Sequence, residues 1–483
     1  MEFVYVGGSK VAPSGVKHKS VGLEINEDNP FQTDLTGAAK VTVHKKTDYN
    51  TQIIRQTKNA LISIIGGLSQ TNFDHSTLNV AINNIRGYKE AYVDTVGGSK
   101  VFVDSGGYSI IVGDVNPADI GRFMYYYNYY LETERDVFDF MFSLDIPVFL
   151  GYPQYNTYDY IYKFNKQSLE QSKEMLVKHP ELCDKFYFIN QFKMPGQYDI
   201  WTKLYKELEL KKYVKNYAIG GLVGLRGILR NDPNCTDISF SPFTAIAYRS
   251  FFDYIHSDSV DNDFRLHTLG IYIKYDRFQL TLLELLFQRY RVELSGENSC
   301  AQQMILTYDS VNYMRTAQLK VRDLLIYQFD KGNLITHSNI QTLPDDILRD
   351  IYNDEYDDMM IDMANLKAGN MLNNIDTFTA ANVYSHKNLD RFFEFIINKY
   401  DLINEFFNAT DWETLSKKLT VILLTMKAND PTIFNAKMVK CITENLRLTY
   451  IFHYWYQNDR SEEKLDESVK AFITKIGFPF GLE

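Results

Sequence analysis

The chain has 483 residues, 45% of them hydrophobic and 23% charged, a globular balance too long for one usual core, so a large domain plus an appended one is expected. Its net charge of −10 argues against indiscriminate nucleic-acid binding, although basic residues concentrate in the middle, from Lys211 to Arg322. The longest apolar run, Leu419–Met426, is too short to span a bilayer, and the N-terminus lacks the basic-then-apolar pattern of a signal peptide; with Cys183, Cys235, Cys300 and Cys441 forming no CxxC pair, a cytoplasmic chain with reduced thiols and no membrane partner is expected.

In chain order, eight short apolar and β-branched runs each end in a polar residue or glycine. They are Glu2–Val6, Leu61–Ile65, Lys100–Val103, Phe140–Leu144, Phe186–Asn190, Tyr217–Ile219, Leu266–Leu269 and Met304–Tyr308. Helical patterns such as Tyr158–Val177 and Arg277–Tyr290 lie between them, and the tyrosine-rich run Met124–Tyr130 reads as one face of a helix. Alternation of this kind predicts an α/β fold with a parallel sheet, and eight repeats suit a (β/α)8 TIM barrel over residues 1–325. After about Ile326 the pattern is helical: Pro344–Leu366, His386–Asn408, Asp411–Met426, Ala436–Gln457 and Ser461–Ile476. Residues 326–483 therefore read as a C-terminal α-helical domain, a place for oligomerisation or a partner.

One stretch carries chemistry on its face. In Val101–Tyr108 an apolar run stops at Asp104-Ser105-Gly106-Gly107-Tyr108. A carboxylate at a strand end can act as general acid or base, the glycines let backbone amides approach a planar ligand, and Tyr108 can stack on it. A plain Asp-Ser-Gly-Gly turn is the competing reading.

Further words follow in order: Ser143-Leu144-Asp145-Ile146-Pro147, Phe188-Ile189-Asn190-Gln191, Tyr217-Ala218-Ile219-Gly220-Gly221-Leu222-Val223-Gly224 and His267-Thr268-Leu269-Gly270-Ile271. Together with the first, they resemble the tRNA-guanine transglycosylase superfamily over roughly residues 100–315: its DSGG(F/Y) signature, its second acid, its FxIxQG segment with Phe192 in place of the glycine, and its AIGGLxVG word. Members of that family exchange a guanine in a polynucleotide for a 7-deazaguanine. Leu306-Thr307-Tyr308-Asp309-Ser310-Val311-Asn312-Tyr313 resembles the family's FDSxSY version, which implies Asp309 as nucleophile, with Glu293 or Glu297 as the fallback because residues 293–303 look like an insertion.

The resemblance implies a mechanism. A glycosidic C1′ gains oxocarbenium character as its base leaves, so the Asp309 carboxylate would stabilise and then bond to it. Asp104 would protonate the departing guanine and deprotonate the incoming base. Asp145, Gln191 and the backbone of Gly221 and Leu222 would hydrogen-bond the heterocycle, with Ser105, Gly106, Gly107 and Gly220 shaping the pocket and Tyr108 against the ring face. The family's CxCxxC zinc site is missing, and Cys235, His256, His267 and Cys300 are too dispersed to replace it, so no metal and no cofactor are expected. No recognisable tRNA-binding tail follows Ile326. The resemblance thus leans toward the DNA-modifying branch known from phages and bacteria, which places a 7-deazaguanine such as preQ0 into DNA. There the target base must be extruded. tRNA is the alternative polymer; a non-catalytic subunit of such an enzyme and an unrelated glycoside hydrolase using the same two acids are the other readings.

Overall fold

The computed structural model describes residues 2–6, 59–63, 100–112, 119–147, 149, 151–191, 199–220, 243–260, 262–271, 274–295, 303–309, 326–330, 333–337, 343–353, 356–357, 388–431 and 433–457. A strand stands at each of the eight expected places: β1 (Glu2–Val6), β2 (Asn59–Ser63), β3 (Lys100–Asp104), β4 (Phe140–Phe142), β5 (Phe186–Asn190), β6 (Asn216–Ile219), β7 (Phe264–Thr268) and β8 (Met304–Asp309). β2 begins and ends two residues earlier than expected, stopping at Ser63 rather than running up to Gly66-Gly67. The chain divides into two units, one of Phe3–Gln154 with Asp309–Leu389, the other of Met1–Glu2, Tyr155–Tyr308 and Asp390–Glu483.

The first unit carries a mixed α/β arrangement in which β1, β2, β3 and β4 pair in parallel and in chain order. Register aligns Ser63 with Asp104, and Val103 with Met141. Val101, Phe102 and Val103 are buried, and the Phe102 ring meets those of Phe140 and Phe142 at 4.7 and 6.1 Å. Each such ring stabilises the fold by about 1.5–3 kcal/mol when fully withdrawn from water. α1 (Gly107–Val112) follows β3 directly, and α2 (Ile120–Thr133) buries Phe123, Met124, Tyr127 and Tyr130 while exposing Tyr125 and Tyr129. The tyrosine-rich run is thus one helix with an inner and an outer face. β9 (Ile326–Asp330) and β10 (Asn333–His337) form an antiparallel hairpin, a feature the helical reading of this region did not anticipate, followed by a helix at Asp345–Tyr352.

In the second unit β5, β6, β7 and β8 also pair in parallel and in chain order. α3 (Tyr158–Lys178) is opened by Thr157, whose hydroxyl accepts a hydrogen bond from the Tyr160 amide at 3.3 Å. Asp159 sits in its first turn and Lys178 in its last, matching the helix dipole, and Pro180 follows its end. α4 (Asp199–Glu207), α5 (Phe243–Ile255) and α6 (Lys274–Ser295) follow β5, β6 and β7 in turn.

Helices at residues 388–399, Leu402–Phe407, Trp412–Asn429 and Ala436–Gln457 complete this unit; Asp401, with φ 51°, breaks the first from the second. The expected helix at Ser461–Ile476 lies outside the described residues. The last helix, Ala436–Gln457, packs on α5 and α6, with Phe452 stacked on Tyr248 at 5.0 Å. Buried polar pairs cross this layer: Thr244 to Asn445, Gln279 to Thr449, and Tyr290 to His453. Among the described residues no helix is long and apolar enough to cross a membrane.

Candidate active site

In the first unit the candidate residues collect at the C-terminal ends of strands. Asp104 is the last residue of β3 and Asp309 the last of β8. Asp309 is buried; Asp104 keeps a partly exposed edge, so water reaches it while most of its shell is protein. Burial pushes the Asp104 carboxyl up to about 6; the backbone N–H of Gly106 opposes that shift, and the negative charge of Asp309 adds to it. A carboxyl that holds its proton near neutrality beside a second carboxylate is the arrangement that lets one acid donate a proton while its neighbour acts as the charged group.

The turn after β3 is built for close approach. Gly106 has φ 72°, a left-handed conformation that side-chain-bearing residues rarely adopt. Its successor, Gly107, opens α1 and donates its N–H to the buried Ser105 hydroxyl at 3.3 Å. A Cβ at Gly107 would lie 2.9 Å from the backbone oxygen of Asp145, so the turns after β3 and β4 touch backbone to backbone. Asp145 is buried there, just beyond Phe142.

Tyr127 joins the same cluster, a residue that sequence reasoning read only as helix packing. Its hydroxyl donates to the Phe142 carbonyl at 2.5 Å. Burial first, then the negative charges of Asp104 and Asp145, hold its own proton far more tightly than in an ordinary tyrosine. Nothing in the run of tyrosines singled it out; only its inward place on α2 does.

The second unit contributes an amide rather than acids. Gln191 follows β5, is buried, and its Oε1 has no hydrogen-bond partner among the described residues; the same is true of Asn190 Nδ2. Gly220, just past β6, leaves the space into which Gln191 packs: a Cβ there would lie 2.7 Å from Gln191 Nε2 and 2.8 Å from Ile189 Cγ2. A buried amide left without a partner costs about 1–3 kcal/mol, so such a group at a strand end suits a polar ligand. His267, on β7, hydrogen-bonds Thr307 Oγ1 at 2.8 Å across to β8.

One residue before Asp309, Tyr308 points the other way along the alternation of β8. Its hydroxyl donates to Asp390 Oδ2 at 2.5 Å, and Arg277 lies over its ring while donating from Nε and Nη2 to Asp390 Oδ1 at 2.9 and 2.6 Å. Burial raises the Asp390 carboxyl above the usual range, against the pull of Arg277. This buried trio fastens the end of β8 to α6 and to the helix at residues 388–399, and no sequence signal marked it.

Of the other expected residues, Tyr108 falls in the first turn of α1, and Gly221 and Leu222 lie outside the described residues, as does the side chain of Tyr108. The fallback acids divide: Glu293 sits within helix α6 rather than at a strand end, and Glu297 lies outside the described residues. Among the described residues no group of three or more metal-ligating side chains is found. Compared with known proteins, the chain matches no family model and no curated protein.

Proposed function

We propose that this chain is a guanine transglycosylase that replaces a guanine in DNA by a 7-deazaguanine of the preQ0 type. The observation that carries the reading is the pair of strand-end carboxylates, Asp104 with its proton affinity raised to about 6 and Asp309 contributing to that rise. On this reading the two parallel four-stranded sheets are halves of one (β/α)8 barrel over residues 1–325, with residues 326–483 as its helical companion, and the enzyme works in the cytoplasm. The words from Asp104 to Asp309 support it by their order and chemistry.

The reaction follows from the groups. Asp309 Oδ attacks C1′ as the glycosidic bond breaks, giving an aspartyl–sugar ester, and the departing guanine takes the proton of Asp104. The incoming 7-deazaguanine returns a proton to Asp104 and attacks C1′, which releases Asp309. Gln191 and Asp145 supply the buried acceptors and donors that read the edge of the heterocycle. A base with mismatched edges would leave those groups buried and unpaired, and discrimination by this means reaches about 10⁴-fold.

The test is direct. The protein is incubated with radiolabelled guanine or 7-cyano-7-deazaguanine and, separately, duplex DNA or tRNA, and label in the polymer is counted. Incorporation into DNA is the expected result; incorporation into tRNA alone would reassign the polymer, and incorporation into neither would end the reading. A denaturation-resistant protein–DNA adduct should form with the native chain and vanish in Asp309→Asn, whereas its survival would move the nucleophile to Glu293 or Glu297.

A further inference from the structure

α3 presents an unusual surface near its start. Tyr158 and Tyr162, one turn apart, stack with planes 6° from parallel and centroids 6.0 Å apart, and Tyr155 lies against Tyr160 at 4.7 Å. All four rings are half-exposed. Lys166 and Lys203 bring their ammonium groups to 5.9 and 4.7 Å from the Tyr162 ring, Lys203 reaching across from α4. Exposed Lys163 adds to the positive side; exposed Asp159 and Glu170 oppose it, as does Glu207, which accepts hydrogen bonds from the Tyr162 hydroxyl and from Lys166.

The place of this surface follows from lengths. α3 has 21 residues and so is about 31 Å long. β5, which the chain enters after a short turn at Pro180–Asp184, has 5 residues and spans about 17 Å. Pro180–Asp184 joins the end of α3 to the start of β5, so this surface lies at the far end of a helix roughly 15 Å longer than the strand that follows it. Aligned aromatic faces interleaved with lysines are the chemistry that holds unpaired bases: rings stack on any base, and ammonium groups meet the phosphates.

We propose that the Tyr155–Tyr162 surface, with Lys166 and Lys203, is a platform for single-stranded DNA. It rests on the reading of the chain as a DNA base-exchange enzyme, and supplies what that reading lacks, a grip on the strand opened when the guanine is extruded. Rings carry most of the hold. Two or three phosphate contacts give a shallow salt dependence, a slope of about −1.5 to −2 in log affinity against log salt.

The experiment is fluorescence anisotropy of a labelled oligodeoxynucleotide dodecamer, run beside the guanine-incorporation assay. Tyr158→Ala with Tyr162→Ala should weaken dodecamer binding at least tenfold with the melting temperature and the salt slope little changed, and Tyr158→Phe with Tyr162→Phe should bind within about twofold of the native chain, since either aromatic ring offers a stacking face. Unchanged binding in the alanine variant overturns the platform, and if label still enters DNA the base-exchange reading stands without it. Ring-dependent binding with no label entering any polymer keeps the platform and overturns base exchange. Tighter binding of the matching oligoribonucleotide overturns DNA as the occupant.

Discussion

The unit that holds β1–β4 and the unit that holds β5–β8 repeat the same parallel pairing, yet the first carries a cluster of acids at strand ends and the second a set of polar pairs that tie helices together. The first concentrates acids: Asp104, Asp145 and Asp309 are drawn into one region with Tyr127, and the proton of Asp104 is held up to about 6. The second, beside buried acids of its own at Asp253, Asp276 and Glu284, carries polar pairs between helices: Gln279 with Thr449, Thr244 with Asn445, Tyr290 with His453, and Arg277 matched to Asp390. Such pairs hold their elements in place. In the first unit the negative charge of Asp309 adds to the raised proton affinity of Asp104, and groups perturbed in this way are candidates for chemistry.

Four tests bear on that contrast, in descending size. Asp104→Asn and Asp309→Asn should each lower label incorporation by about 10²–10⁴-fold, since removing a proton-transfer group has that magnitude and the nucleophile no less. A loss below tenfold at either position, read from initial rates, would remove that residue from the chemistry.

Asp390→Ala should cost about 3–5 kcal/mol in urea unfolding, because it strands the buried Arg277 guanidinium, while a change of both residues to apolar ones of similar size should restore much of that. Equal destabilisation by the single and the double change would show that packing, rather than charge compensation, dominates the second unit.

Two buried groups, one from each unit, should also respond to pH with opposite sign. Asp104 binds its proton more tightly folded than unfolded, so it favours the folded state most below about pH 4, and that contribution is lost as pH rises from 3.8 to about 6. Replacing it by Asn should therefore stabilise the chain at pH 8 by about 1–3 kcal/mol, the lower figure reflecting water at its exposed edge. His453 behaves in reverse. Burial pushes it down to about 4, so its neutral form supports folding above pH 6.5 and that support drains away as pH falls toward 4, by up to about 3 kcal/mol. Urea unfolding of Asp104→Asn and of His453→Phe followed against pH separates the two, and parallel changes of slope in the two variants would contradict the assignment.

The smallest effect is steric. Gly220→Ala pushes a methyl group into Gln191 and Ile189, at about 1–3 kcal/mol in stability, and should reduce affinity for free guanine more than it reduces affinity for DNA. Equal losses for both ligands would take Gln191 out of base reading.

How much of this was legible in the sequence depends on how local each feature is. The strands were readable because short apolar runs ending in a polar residue follow from one strand's own burial, and β1 and β5 coincide with expectation at both ends. Asp104 was readable for the same reason, since a strand, an acid and two glycines are contiguous. The β9–β10 hairpin was missed although Ile326–His337 alternates about Lys331-Gly332, a two-residue turn signal that the surrounding helical pattern masked. Tyr127 and the Arg277–Asp390 pair were not legible at all: one is a tyrosine among tyrosines, and the other joins residues 113 apart, which no local pattern encodes. Gln191 stood between, its position readable at a strand end but its packing against Gly220 visible only in three dimensions.

The Tyr308–Asp390 bond spans 82 residues, and this has a consequence during synthesis. At about 5–20 residues per second, a nascent chain that has completed β8 waits roughly 4–16 s before the carboxylate that neutralises Arg277 has even been added. Through that interval the arginine lacks the counter-charge it has when folded. Chains cut short before Asp390 should therefore be retained by chaperones or degraded, and ribosome pausing downstream of β8 would lengthen the exposure in proportion.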